Sequence, residues 1–346
     1  MDAYRCRTDL PVLLIYNIDP EWPTEDIQAS IHETRLLVNA LIEVGHPVQE
    51  VCIQTNDLQS AIQDFHPQEY VVFNWCEELP GIHHSEHRAA EVLEHLGFSY
   101  TGADAQALIF SQDKRQVKRL LDEQGIPTPN WQVHSAVQEV HWAHYPAIVK
   151  PAFEHCGVGI SRQSVVQTDE ELSQRIRYVL DELQEPAIVE DFIDGREFHV
   201  GVIGNGILTM LPPAEIDYSV FKDVHDRLCT YEANFDRNSL AYQLTIPKLS
   251  IDLTESELSQ LEKVMLAAYR ATACRDYARM DVRLQDGTFY VLDVNHNADI
   301  SFDNSLVRAA GMVGLSYGQL GSLLINLAAQ RHPIFGSGCC EQGIKK

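Results

Sequence analysis

The segment ARMDVRLQDGTFYVLDVNHNADIS, Ala278 to Ser301, carries two carboxylates and an amide that a hairpin would bring together. Met280, Val282 and Leu284 alternate with Arg279, Asp281 and Arg283, and Asp286-Gly287 is a dipeptide that favours positive backbone angles in a tight turn. Folded about that turn, Asp281 falls near Asp293 and Asn295. Each arm carries an acid where a core residue is expected, and a buried carboxylate is costly unless a cation offsets it. A hard divalent ion, Mg2+ or else Mn2+, suits such oxygen ligands. Upstream, PAIVKPAFEHCGVGI sets Lys150 at the end of an apolar strand, before a loop with Gly157 and Gly159. Such a loop either cradles phosphate with its N–H groups or simply turns the chain. In AIVEDFIDGREFHV, Glu190 and Glu197 flank a turn and the apolar pair Phe192 and Ile193. Glu190, the main chain of Asp191 to Ile193, and Glu197 could supply what adenine and ribose need; a solvated acidic hairpin is the other reading. Lys114 begins a helix in QDKRQVKRLLDEQ and taken alone is an ordinary surface lysine.

These groups need a scaffold to hold them. From Val12 to Gly97 strand and helix patterns alternate: strands at Val12–Ile18, Val48–Ile53 and Tyr70–Trp75, helices at Glu25–Val44 and Glu86–Leu96. That rhythm predicts a parallel sheet flanked by helices. A helix over Asp113–Gln124 leads to strands at Ala147–Lys150, Ser164–Val166 and Ala187–Asp191 around a helix from Asp169 to Leu183. Strands within His199–Leu211, a helix at Glu255–Cys274, the hairpin and two helices after Asn304 complete the chain. The expected division is an amino-terminal α/β unit over 1–111, a central unit over 112–211, a third over 212–336 with the metal residues, and a disordered tail over 337–346. The net charge of -24 argues against nucleic acid or an anionic membrane as partner. Eight cysteines without a C-x-x-C pair fit a reduced, cytoplasmic protein.

The order of these pieces resembles the ATP-grasp superfamily and, within it, the D-alanine D-alanine ligases. The likeness runs from about Tyr70 to Gln319 through VVFNWCEELPG, LGFSYTGADAQA, DKRQVKRLLDEQGIPTP, AIVKPAFEHCGVGI, IVEDFIDGREF, LPPAEIDY, YARMDV and VLDVN. It implies an α/β ATP-grasp fold of three subdomains, with ATP held between two sheets. Lys114 and Lys150 match the lysines on the phosphates, and Glu190 to Ile193 with Glu197 match the adenine and ribose contacts. Asp281, Asp293 and Asn295 match the Mg2+ ligands, with Asp293 where the ligases usually carry Glu. Arg279 matches the arginine facing the acyl oxygen. The implied reaction joins a small carboxylate to an amine through an acyl phosphate, and such proteins are commonly homodimers.

The substrate positions depart from the ligases. An oxyanion-site glycine is replaced by Asp299, the usual Ser pair of the loop by Cys156 and Gly157, and the closing YEAKY segment by YEANF with Asn234 and Phe235. Asn304 and Ser305 stand where a Ser-Leu pair receives the second substrate, and Arg308 is a candidate carboxylate clamp. The amino end lacks the ligases' Gly-Gly-x-Ser segment, leaving Glu25 or Asp26 to orient a substrate amine. His83 and His87 have helical spacing but no third metal ligand, so His83, His84 and His87 read as a helix start lining the first-substrate pocket. The same mechanism with different substrates is the expectation. Authentic D-alanine D-alanine ligation and a nucleotide-binding protein without catalysis are the alternatives.

Overall fold

The structure, a computed structural model, describes residues 6–136, 140–155, 157–230, 232–233, 239, 243–249 and 252–336. Cys156, Asn234, Phe235 and the 337–346 tail lie outside the described residues. The first unit is a parallel sheet of β1 (Val12–Asn17), β2 (Val48–Ile53), β3 (Val71–Trp75) and β4 (Ser99–Tyr100) in the order β2-β1-β3-β4. β1 and β3 are largely apolar because both of their faces are covered, whereas β2 at the sheet edge exposes Gln49 and Glu50. One face packs on α2 (Leu58–Ala61), α3 (Glu86–Leu96) and α4 (Ala105–Gln112). The other packs on α1 (Thr24–Val44) and on the last helix, so the two ends of the chain share a core.

The second sheet is antiparallel. It orders β5 (Trp131–His134), β6 (Ala147–Pro151), β7 (Val165–Val166) and β8 (Ala187–Asp191) as β5-β8-β6-β7, backed by α6 (Asp169–Asp181). In the chain between the first two sheets comes α5 (Lys114–Glu123), whose N-cap Asp113 accepts from Arg115 N and whose Val117 and Leu121 pack with Phe198, Val200 and Met280. The third sheet joins β9 (Arg196–Ile203), β10 (Thr209–Met210) and β11 (Ala214–Ile216) to β12 (Tyr277–Gln285) and β13 (Thr288–Asn295). Because β9 and β10 bond into this third sheet, the passage from the second sheet to the third lies between Asp191 and Arg196, upstream of residue 211. Behind it packs α7 (Glu255–Ala271), started by a capping box between Thr254 and Glu257.

The closing helices are α8 (Ser305–Met312) and α9 (Tyr317–Ala329). In α9 nearly every side chain is buried, and a Cβ on Gly318 would collide with the Ala40 carbonyl of α1, which fixes glycine there. Among the described residues no single helix is long and apolar enough to cross a membrane; α8 and α9 together are apolar enough but meet at 99°.

Candidate active site

The hairpin of β12 and β13 turns at Asp286 and Gly287, with φ of 50° and 76°. Asp281 pairs with Asp293, and Arg279 with Asn295. On β12 the alternation is regular: Met280 and Val282 are buried toward α7, while Arg279, Asp281 and Arg283 line a cleft facing the second sheet. On β13 it is broken. Phe289 and Val291 point into the core, and strict alternation would send Asp293 after them. A register shift after Asp281 leaves Leu292 as an extra residue, so that Leu292 and Asp293 both line the cleft and Val294 returns to the core. The bulge therefore answers the puzzle of the acid in a core position: Asp293 is turned out of the core.

Asp281 is held by Arg279 through Nε to Oδ1 at 2.8 Å and a second guanidinium nitrogen to Oδ2 at 3.0 Å. Asn295 Nδ2 approaches Asp281 Oδ2 at 3.2 Å. Burial alone would lower the Arg279 pKa, but its pair with Asp281 outweighs this and raises it. Burial would raise Asp293, yet Lys114, with His155 and Lys150, holds its carboxyl well below the usual range. Lys114 Nζ donates to the Glu154 carbonyl at 2.5 Å and lies 3.7 Å from Asp293 Oδ2. The Lys114 N–H bonds Ala152 O at 3.1 Å, tying the start of α5 to the end of β6. His155 is lowered to about 4, first by burial and then by Lys114, so it is neutral at pH 7.

The far end of the cleft is built around Glu190, which is 1% exposed. Its Oε2 receives Lys150 Nζ at 3.0 Å and Lys118 Nζ at 3.2 Å, while Oε1 has no partner. Lys118 also donates to Thr128 Oγ1 at 2.8 Å. Burial works against charge on both sides: it would raise Glu190, but the two ammonium groups bring it below its ordinary value, whereas burial leaves Lys118 lowered. Asp191 accepts from Asn130 Nδ2 at 2.6 Å and Trp142 Nε1 at 2.9 Å, so its side chain faces away from ligand duty. The Asp191 and Phe192 N–H groups bond Asn130 O and Pro146 O. Among the described residues only the Ile193 N–H of this run has no partner. Glu197 is gripped by Arg283, Nε to Oε2 at 2.7 Å, and Arg283 also stacks on Phe192 at 4.7 Å and Tyr218 at 5.3 Å. Glu197 thus stands at the cleft wall with its charge already balanced.

Lys114, Lys150, Glu190, Phe192, Ile193, Glu197, Arg279, Asp281, Asp293, Asn295 and Gly157 come together in this cleft. Of the described substrate candidates, Asp299, Asn304, Ser305 and Arg308 do not line it. Asp299 turns to its own loop, accepting from Ser301 N at 2.7 Å and Asn304 Nδ2 at 2.9 Å. Asn304 caps α8, with Ser305 beside it at 3.5 Å from His199 Nδ1. Arg308 is half-buried on α8 without an ion pair among the described residues. Glu25 and Asp26 sit on the exposed first turn of α1. His83 is exposed, and it is His84 that lies near Glu154 and Glu185.

Several residues in or behind the cleft escaped the sequence reading. Lys118 is one helical turn after Lys114, the spacing that signals a shared face. His199 and Arg283 follow from alternation along β9 and β12, and Leu292 only from the bulge. Burial holds His199 below the ordinary histidine range, although Asp281 opposes the shift. Although Glu77 is exposed at its surface, desolvation by the surrounding protein, with Asp299 and Glu78, pushes its carboxyl up to about 7. Burial pushes Glu86 up to about 8, against a hydrogen bond from Asn297 Nδ2 at 2.6 Å.

Residues 120–326 match the family model of the D-ala D-ala ligase C-terminus. The chain belongs to that family. Protein y4sG of Sinorhizobium fredii is 31% identical over 326 residues, covering 92% of this chain and 91% of that one. The D-alanine–D-alanine ligase of Aquifex aeolicus is 28% identical over 305 residues, 86% of this chain and 95% of that enzyme. The crystal structure of Bacillus anthracis D-alanine–D-alanine ligase complexed with ATP shares the fold, with a TM-score of 0.72 at 21% identity over 93% of this chain and 98% of that one. By family and fold this D-ala D-ala ligase relative is an ATP-grasp ligase, with three α/β units and a cleft between two of the sheets.

Proposed function

We propose that the protein joins a small carboxylate to an amine at the expense of ATP, with at least one substrate other than D-alanine. The observation that carries the reading is the cleft between the second and third sheets, whose one lining holds groups suited to a base around Glu190 and groups suited to phosphate around Lys114, with Lys150 bonded to Glu190. Glu190 Oε1 and the Ile193 N–H are the unpartnered acceptor and donor that the amino edge of adenine needs, beside the apolar Ile148, Phe192 and Leu292. Lys114 and Lys150 supply cations for the phosphates, with the Gly157 loop alongside.

Asp281, Asp293 and Asn295 offer the oxygen donors that suit Mg2+, and two carboxylates paired across adjacent strands fit a divalent ion. The ion would supply neutralisation of phosphate charge. A substrate carboxylate oxygen attacks the terminal phosphorus, and the bond to the bridging oxygen breaks to release ADP. The amine nitrogen then attacks the acyl carbon, loses a proton, and phosphate leaves with the bonding pair. Lys114 and Lys150 position the phosphates for the first step, and Arg279 stabilises the tetrahedral oxyanion in the second. Glu77, Glu86 and Asp299 gather carboxyl groups in the neighbouring region, and an ammonium bound there would favour their ionised forms, which suits an amine-bearing substrate. We place the enzyme in the cytoplasm, as a homodimer in keeping with its family.

The atom balance supplies the test. With the carboxylate labelled by 18O, one labelled oxygen per turnover must appear in released phosphate. Label confined to the amide product and unreacted acid would exclude the acyl phosphate.

A further inference from the structure

We infer that His199 is a nitrogen ligand in the metal row, so that the site takes a transition-metal divalent ion such as Mn2+ or Co2+ in preference to Mg2+. This rests on the assignment of Asp281 and Asp293 as metal ligands in the proposed function.

The register of the third sheet carries the inference. His199 on β9 pairs with Asp281 on β12, and Asp281 pairs with Asp293 on β13. The three residues form one row across three adjacent strands, and all three line the same cleft. Neighbouring strands lie about 4.8 Å apart, so side chains in such a row converge on one ion without backbone movement. His199 Nε2 is 3.8 Å from Asp281 Oδ1 and 3.9 Å from Glu197 Oε1. Ligands about 2.1 Å from a six-coordinate ion are about 3.0 Å apart, so a small inward rotation of the imidazole completes the contact.

The tautomer agrees. Nδ1 faces the Ser305 hydroxyl at 3.5 Å, and an Nδ1–H donated there leaves the Nε2 lone pair toward Asp281. Two electron-rich groups facing each other are stabilised by a cation between them, and a histidine whose other nitrogen is held by a hydrogen bond is the usual arrangement of a metal-bound imidazole. Asp281 Oδ1 also accepts Arg279 Nε, so the ion shares that oxygen with the guanidinium. An imidazole among oxygen donors shifts preference from Mg2+ toward the first-row transition-metal ions, which accept nitrogen more readily.

The test uses Mn2+ and Co2+ alone as probes on the full chain. Pulsed electron paramagnetic resonance of the Mn2+-loaded protein should show 14N coupling of an imidazole, and Co2+ should give a nitrogen-ligated visible spectrum. In His199→Thr the coupling should vanish and the preference for Mn2+ over Mg2+, measured by competition, should fall about tenfold or more. Asp293→Asn separates this inference from the reading beneath it, because it should weaken every ion, whereas His199→Thr should spare Mg2+. Mn2+ bound without 14N coupling, no Mn2+ bound, or an unchanged ion preference in His199→Thr would each overturn the assignment. Equal binding by Asp293→Asn and the parent would overturn the metal row itself.

Discussion

Glu190→Gln should turn the cleft from an adenine site toward one for a 6-oxo purine. Oε2 of Glu190 lies 3.0 Å from Lys150 Nζ and 3.2 Å from Lys118 Nζ, and both neighbours can only donate. A glutamine must therefore give its oxygen to the lysines, which places its NH2 where the unpartnered Oε1 now stands. An acceptor becomes a donor opposite the adenine amino group. Losing that hydrogen bond and leaving two donors face to face costs about 1–3 kcal/mol, or about 5- to 150-fold in ATP affinity. ITP, whose ring carries an acceptor at the same place, should gain relative to ATP. Removing the carboxylate also leaves two lysines close together, so a stability loss of up to about 3–5 kcal/mol is expected and the melt must be recorded alongside. Calorimetric titration of ATP and ITP into both proteins, well below the variant's melting temperature, is the assay. A variant that stays folded and keeps the parent's ATP-to-ITP ratio would refute the placement of the base against Glu190.

Gly318→Ala should lower the melting temperature by several degrees, because the added Cβ collides with the Ala40 carbonyl and forcing extra atoms into a packed core costs about 1–3 kcal/mol. Glu86→Gln should change the pH dependence of stability. The folded Glu86 keeps its proton up to about 8, whereas an unfolded glutamate loses it near about 4.3, so the parent loses stability as pH rises through that window. The variant should therefore match the parent at about pH 4 and melt higher at about pH 9. Lys114→Ala should reduce kcat/KM for ATP by about 10- to 150-fold through loss of a charge-assisted contact worth about 1.5–3 kcal/mol, and should also lower the melt, because Asp293 and the Glu154 carbonyl lose a partner.

The apolar runs made most of the scaffold legible. Covered on both faces, β1 and β3 read as largely apolar stretches, and α1 and α3 end at glycines that take positive φ. The hairpin was legible because Asp286-Gly287 fixes the turn and, with it, the meeting of Asp281 and Asp293. The bulge at Leu292 was not, since alternation carries no mark of an inserted residue. β5 was hidden because Gln132 and His134 interrupt its pattern and its strand bonds come from distant β8. Lys118 was hidden for a different reason. A lysine in a helix is ordinarily solvated, and only the fold brings Glu190 to it. The raised pKa of Glu86 likewise comes first from burial, which only the fold creates.

The central claim is that this cleft couples ATP cleavage to amide formation. The most direct measurement is phosphate release with ATP and Mg2+ or Mn2+ across pairs of D- and L-amino acids and small carboxylates, with mass spectrometry of each active mixture, for the parent and Asp281→Asn. The account predicts phosphate and amide in equal amounts for a specific pair, and neither from the variant. Release with D-alanine alone, yielding D-alanyl-D-alanine, would keep the chemistry and refute the proposed change of substrate. Phosphate release without amide, or equal turnover by Asp281→Asn, would contradict the account.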